Sequence, residues 1–177
     1  RAVWRATRDE RVLFYKDGIN GTVMVATDPL ESARWLRVGG KVDASTNDME
    51  TQVLVGLIPS MLADSGARTL VIGQGSGITT AAVLAGGAGP TEVIEIEPHV
   101  IEASRFFHAP GEDPLDDPRV TVILGDARTH LLHSGKRYDV IVSVPTNPWI
   151  SRVTSLFTVD FYRRVREPLE PNGVFCP

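Results

Sequence analysis

TLVIGQGSG, residues 69–77, with EVIEIEP at 92–98 behind it, decides the fold. Thr69 to Ile72 is a short apolar run of the kind a buried parallel strand requires. Gly73, Gly75 and Gly77 follow at once, and a helix of small residues is predicted over 79–85. A glycine-rich turn between strand and helix lets bare backbone approach a ligand and aims the helix N-terminus at it. The second strand, 92–96, carries Glu95, with Glu97 just beyond. A carboxylate at that strand end can accept two hydrogen bonds from ribose hydroxyls. Together the two signals point to a nucleoside.

Two details bear on which nucleoside. The glycines read G-x-G-x-G and not G-x-G-x-x-G, so the dinucleotide fingerprint is incomplete. A third strand, 120–124, ends in Gly125-Asp126-Ala127. Asp126 can accept from an adenine amino group while the backbone N–H of Ala127 reaches a ring nitrogen. Three successive strand ends would then hold tail, ribose and base, the layout of a domain for S-adenosylmethionine. The plainer alternative is a tight turn with Glu95 in a surface ion pair.

The 177 residues fit one domain with a small appendage, and 42% apolar with 23% charged residues suffices for a core. The net charge of −4 and the dispersed basic residues offer no footprint for nucleic acid. The single cysteine, Cys176, excludes an intramolecular disulfide and a cysteine-based zinc site. His130 and His133 could share a helix face, but further ligands for a metal cannot be placed, so no metal is expected. No run approaches the ~20 residues of a membrane span. The chain begins at Arg1 and stops inside a predicted strand, so a piece of a longer protein with its C-terminal strands truncated is expected.

Residues 1–46 read as a β-hairpin domain: strands over 12–15 and 21–27 around Lys16-Asp17-Gly18, then 35–38 and 41–44 around Gly39-Gly40. Residues 47–177 read as the nucleoside-binding domain. It opens with an amphipathic helix whose apolar face is expected to be Met49, Val53, Leu57 and Met61 with Leu54, Ile58 and Leu62, kinked or split at Pro59. Strands then alternate with helices: 69–72, 78–85, 92–96, a helix from Pro98, 120–124, 127–133, 138–144, a helix over about 159–167, and 173–176. That alternation predicts an α/β, doubly wound, mainly parallel sheet. Asp113, Asp116 and Asp117 read as a solvated loop. Arg163, Arg164 and Arg166 read as the wet face of a helix whose Phe161, Tyr162 and Val165 pack inward.

In order and spacing, YKDGINGTVMV, Thr51-Gln52, VIGQGSG, VIEIEPHVIE, DDPRVTVILGDAR, YDVIVSVPTNPW and SLFTVDFYRRVREPLEPNGV resemble spermidine synthase-like proteins over residues 14–176. The resemblance implies an N-terminal β-hairpin domain, used for oligomerisation and so compatible with a homodimer, joined to a class I methyltransferase-like Rossmann domain in the cytoplasm. It implies transfer of an aminopropyl group from decarboxylated S-adenosylmethionine to putrescine or another polyamine. Glu95 would hold the ribose and Asp126 with Ala127 the adenine; Gly73, Gly75 and Gly77 would line the donor's tail, with Gln52 at the same pocket.

The catalytic end departs from the family pattern. Where members carry an aspartate, two small residues, a second aspartate and proline, this chain has Val144, Pro145, Thr146, Asn147 and Pro148. Valine accepts no proton, and asparagine brings no charge. Ser76 stands for an aspartate of the glycine loop and Thr51 for a tyrosine. The loop resembles a divergent branch with Ser-x-Pro-x-Asn-Pro-Trp, often fused to a membrane segment. Thr146, Asn147 and Trp149 are the substrate-loop candidates. The sequence leaves two readings: a transferase acting on an amine acceptor, with amine methylation as its variant because Asn147-Pro148-Trp149 resembles an amine-methyltransferase loop, or a non-catalytic nucleoside-binding module of a larger protein.

Overall fold

The computed structural model describes residues 10–144 and 154–177. An antiparallel sheet comes first, with β1 (Arg11–Asp17), β2 (Thr22–Thr27), β3 (Arg34–Val38) and β4 (Lys41–Ser45) paired in sequence order. Gly39 and Gly40 close the β3–β4 hairpin with φ of 54° and 91°, as a two-residue turn with both central residues left-handed requires. Val23, Val25 and Leu36 are fully buried, and they pack on Val100 and Ala103 of α3 (Pro98–Ser104). The sheet therefore rests on the flank of the second unit.

The second sheet is all parallel, in the order β7-β6-β5-β8-β9: β5 (Thr69–Ile72), β6 (Thr91–Glu95), β7 (Val120–Leu124), β8 (Tyr138–Ser143) and β9 (Leu169–Cys176). Its central strands bury alternate residues on opposite faces. Leu70, Ile72, Ile94 and Ile141 pack with Ala127 and Leu131 of α4 (Ala127–His133) and with Phe161 and Val165 of α5 (Val159–Arg166). Val71, Val93, Val140 and Val142 pack with Val83 of α2 (Ile78–Ala85) and Val55 of α1 (Met49–Leu62). At ~1.5–3 kcal/mol for each buried aliphatic side chain, these two layers supply the main drive for folding. Pairing runs from β5 to β6 on one side and to β8 on the other, which puts a topological switch point beyond the carboxyl ends of β5 and β8.

Five expectations are corrected. The buried stripe of α1 is Gln52, Gly56, Pro59 and Ser60, while Leu54, Met61 and Leu62 are 51%, 68% and 71% exposed. The reason is close packing of α1 on α2: a Cβ on Gly56 would lie 2.5 Å from the Thr79 carbonyl, and one on Gly86 2.6 Å from the Ser60 Cβ. Pro59 does not split α1, which ends within a turn of it, and Ser60 Oγ bonds the Gly56 carbonyl. β9 starts at Leu169 and includes Pro171, tolerated because β9 lies at the edge of the described sheet. Asp113 is buried, accepts from Leu115 N and pairs with Arg105, and Tyr162 is partly exposed with its edge toward Phe161 and Phe175.

Glu97 joins the two units. It is fully buried, accepting from Asn20 N at 2.9 Å and from His99 N at 3.2 Å. The turn between β1 and β2 fits over it so closely that a Cβ on Gly18 would lie 2.4 Å from a carboxylate oxygen. Among the described residues no helix is long and apolar enough to cross a membrane, and no group of acidic, histidine or cysteine side chains could hold a metal ion.

Candidate functional site

The glycine loop leaves β5 at the switch point and turns into α2 with φ of 89°, 54° and 83° at Gly73, Gly75 and Gly77, a backbone only glycine adopts freely. The space around the three differs. A Cβ on Gly73 would lie 3.1 Å from the Val144 carbonyl, so the loop and the end of β8 nearly touch. One on Gly77 would lie 2.6 Å from His108 Nε2, whereas one on Gly75 would meet nothing within 4 Å. Gly75 is the open point of the turn, where bare backbone can meet a ligand.

Glu95 ends β6 with its side chain toward this loop. Its Oε2 accepts from Gln74 N at 2.9 Å, and its Oε1 from Ile96 N at 2.8 Å and Glu97 N at 2.9 Å. Burial pushes its carboxyl above the usual range against the pull of these three N–H groups, and the neighbouring Glu97 adds to the rise. A carboxylate has about four acceptor positions, so three backbone donors leave about one for a ribose hydroxyl. The plain surface ion pair is excluded.

Asp126 lies two residues beyond the end of β7, the next strand along. Its Oδ1 caps α4, accepting from Thr129 N at 2.9 Å and Thr129 Oγ1 at 3.2 Å. Ala127 opens that helix, where a backbone N–H has no partner inside the helix. Thus β5, β6 and β7 present the glycine loop, Glu95 and Asp126 side by side at their carboxyl ends.

Gln52 is brought to the loop from α1, but both its N–H donors and one acceptor position are already used. Nε2 donates to the Ser45 carbonyl at 2.8 Å and the Asp48 carbonyl at 3.1 Å, while Oε1 accepts from Ser76 Oγ at 2.5 Å. Ser76 is correspondingly buried and turned onto Gln52. Val144, beside Gly73, donates its N–H to the Ile72 carbonyl and leans on the apolar layer of α2. Thr146, Asn147 and Trp149 lie outside the described residues.

The motifs do not mark the rest of the loop's surroundings. Gln74 Oε1 accepts from Thr80 Oγ1 at 2.9 Å, Gln74 Nε2 reaches Ser104 Oγ at 3.4 Å, and His108 Nε2 lies 2.9 Å from the Ser76 carbonyl. His108 belongs to the connection between β6 and β7, and only folding brings it across 32 residues to the loop. No pattern in the chain announces it.

A second polar cluster lies at the opposite end of the sheet. Tyr138 donates to Glu92 at 2.6 Å, His130 Nε2 lies 2.9 Å from the tyrosine oxygen, and Lys136 pairs with the same glutamate. It plays no part in the candidate site.

Known proteins are similar to this chain in sequence and in fold. Polyamine aminopropyltransferase of Bacillus subtilis (strain 168) is 30% identical over 154 residues, 86% of this chain and 55% of that protein. Its counterpart from Thermococcus onnurineus (strain NA1) is 33% identical over 119 residues, 66% of this chain and 42% of that protein. The chain thus spans about half the length of these relatives. Among solved structures, spermidine synthase in complex with the transition-state analogue AdoDATO superposes with a TM-score of 0.83 at 23% identity, covering 93% of this chain and 57% of that one. Spermidine synthase from Thermotoga maritima gives 0.80, with 93% and 56% covered. The family model for the spermine/spermidine synthase domain matches residues 48–177, most of the chain, which therefore belongs to that family.

Proposed function

We propose that this chain binds an adenosyl sulfonium donor across the carboxyl ends of β5, β6 and β7, as part of a transferase that moves an aminopropyl group to an amine. One observation carries the reading: a buried carboxylate, Glu95, bonded to the amide of Gln74, so that ribose acceptor and glycine loop form one rigid unit. The remaining acceptor position of Glu95 takes a ribose hydroxyl. Asp126 Oδ2 and the N–H of Ala127 take the adenine edge, and the backbone of 73–77 faces the donor's tail. Gln52 contributes indirectly by holding Ser76.

In the reaction the amine lone pair forms a bond to the carbon next to sulfur. The carbon–sulfur bond breaks, sulfonium becomes a neutral thioether, and the nitrogen sheds a proton. Val144, at the end of β8, cannot take that proton. The chain's own contribution is therefore placement of the donor, which supplies much of the rate in such reactions, whereas a positioned base adds ~10²–10⁴-fold. The same valine favours a second reading, a nucleoside-binding module without turnover.

Calorimetry with S-adenosylmethionine, its decarboxylated form and methylthioadenosine tests the proposal. Tighter binding of the decarboxylated donor than of S-adenosylmethionine supports aminopropyl transfer, and the reverse order supports amine methylation. Absence of binding to all three contradicts both the transferase and the module.

A further inference from the structure

We propose that His108 is a positioning residue for the nucleoside site: it holds the peptide between Ser76 and Gly77, and with it the glycine loop, in the conformation the donor meets. The inference rests on the site reading above. Besides the Gln74 side chain, which bonds Thr80 and Ser104, and the first turn of α2, four bonds tie the loop down. Gly73 N donates to the Ile94 carbonyl at 2.9 Å, and Gln74 N to Glu95 at 2.9 Å. Ser76 Oγ donates to Gln52 at 2.5 Å, and the Ser76 carbonyl accepts from His108 Nε2 at 2.9 Å. The first three partners belong to strands or to α1 and serve the fold as well. The fourth is a half-buried ring from a connecting segment.

A peptide unit is planar, so fixing its carbonyl fixes its N–H. The N–H of this unit, on Gly77, donates to the Gln74 carbonyl at 2.8 Å and closes the turn. Gly77 has φ of 83° and no side chain to oppose rotation, so without a partner on the carbonyl this unit turns over cheaply. A flip would break the turn bond and re-aim the backbone that faces the ligand. The ring is seated closely, since a Cβ on Gly77 would fall 2.6 Å from Nε2. Its segment is held from the antiparallel sheet: Arg34 donates to the Phe106 carbonyl, and Phe14 meets the Phe106 ring at 5.7 Å between centroids. Imidazole donates from Nε2 both as that neutral tautomer and as the cation.

The test compares the parent with His108→Gln, which keeps a donor at a similar reach, and His108→Leu, which keeps bulk without a donor. Methylthioadenosine affinity is read by calorimetry, and amide exchange of 73–77 is read in the ligand-free protein alongside the melting temperature. His108→Leu should bind about three- to tenfold more weakly, the weight of one neutral hydrogen bond, and exchange its loop amides faster. His108→Gln should stay within about twofold of the parent. Equal affinity in all three overturns the inference, as does an equal loss in both variants, which would make the ring mere packing. If the parent binds no methylthioadenosine, the site reading falls. Loop exchange then decides the tether by itself, and unchanged exchange in His108→Leu overturns it.

Discussion

Glu95 shows how one side chain can be legible in its position and illegible in its bonding. The sequence places a carboxylate at the second strand end. It does not say that three backbone amides already claim most of its lone pairs. Burial raises its carboxyl above the usual value, so the folded protein binds more protons there than the unfolded chain between the two values. Stability then falls as pH rises through that window, which opens near the unfolded value of about 4.3. Melting curves should show the parent losing stability relative to Glu95→Gln as pH is raised above that point. A gap that moves the other way would contradict the account. Ser143 offers a second test, because its hydroxyl is buried at the end of β8 with no partner among the described residues. An unpaired buried hydroxyl costs about 1–3 kcal/mol, so Ser143→Ala should be at least as stable as the parent. A clear fall in its melting temperature would mean that the hydroxyl has a partner.

Among the elements, β1 to β8 and the helices α1 to α5 follow from period, turn glycines and strand length. The buried face of α1 does not. Its apolar residues recur at three and four, and the sequence reading turns them inward. The fold instead buries the stripe that allows two helix backbones to meet, Gln52, Gly56, Pro59 and Ser60. Hydrophobic periodicity reports which face is apolar, but not which face is narrow enough to pack. Substitution of Gly56 tests this. Alanine would gain up to about 1 kcal/mol of helix propensity, but its Cβ would sit 2.5 Å from the Thr79 carbonyl. Overpacking of this kind typically costs about 1–3 kcal/mol. Gly56→Ala should therefore be less stable than the parent by about 1 kcal/mol or more in denaturant titration. A more stable Gly56→Ala would show that α1 and α2 are not in such close contact.

At the scale of the whole molecule, the family fold was legible because its motifs sit at strand ends, where chain order and spatial order coincide. The long-range ties were not. Glu97 clasping the β1–β2 turn across the two units, and His108 reaching Ser76 within the second, are contacts without local pattern. What Val144 means for the proposed transfer belongs to this scale, since the parallel sheet sets beside Gly73 a residue whose side chain accepts no proton. A diamine is almost wholly protonated near neutral pH, so turnover of putrescine with the decarboxylated donor should be well below ~1 s⁻¹. Val144→Asp combined with Asn147→Asp should raise it. Parent turnover at ordinary enzymatic rates would refute the argument from the missing carboxylate.

The adenosyl site proposed at Glu95, Asp126 and the glycine loop is tested by titrating methylthioadenosine and its inosine analogue into the parent, Glu95→Gln and Asp126→Ala. The parent should bind. Glu95→Gln should lose ~1.5–3 kcal/mol, the weight of hydrogen bonds to a charged group. Asp126→Ala should narrow the preference for adenosine over inosine analogues. Binding that both variants leave unchanged in strength and in base preference would contradict the site.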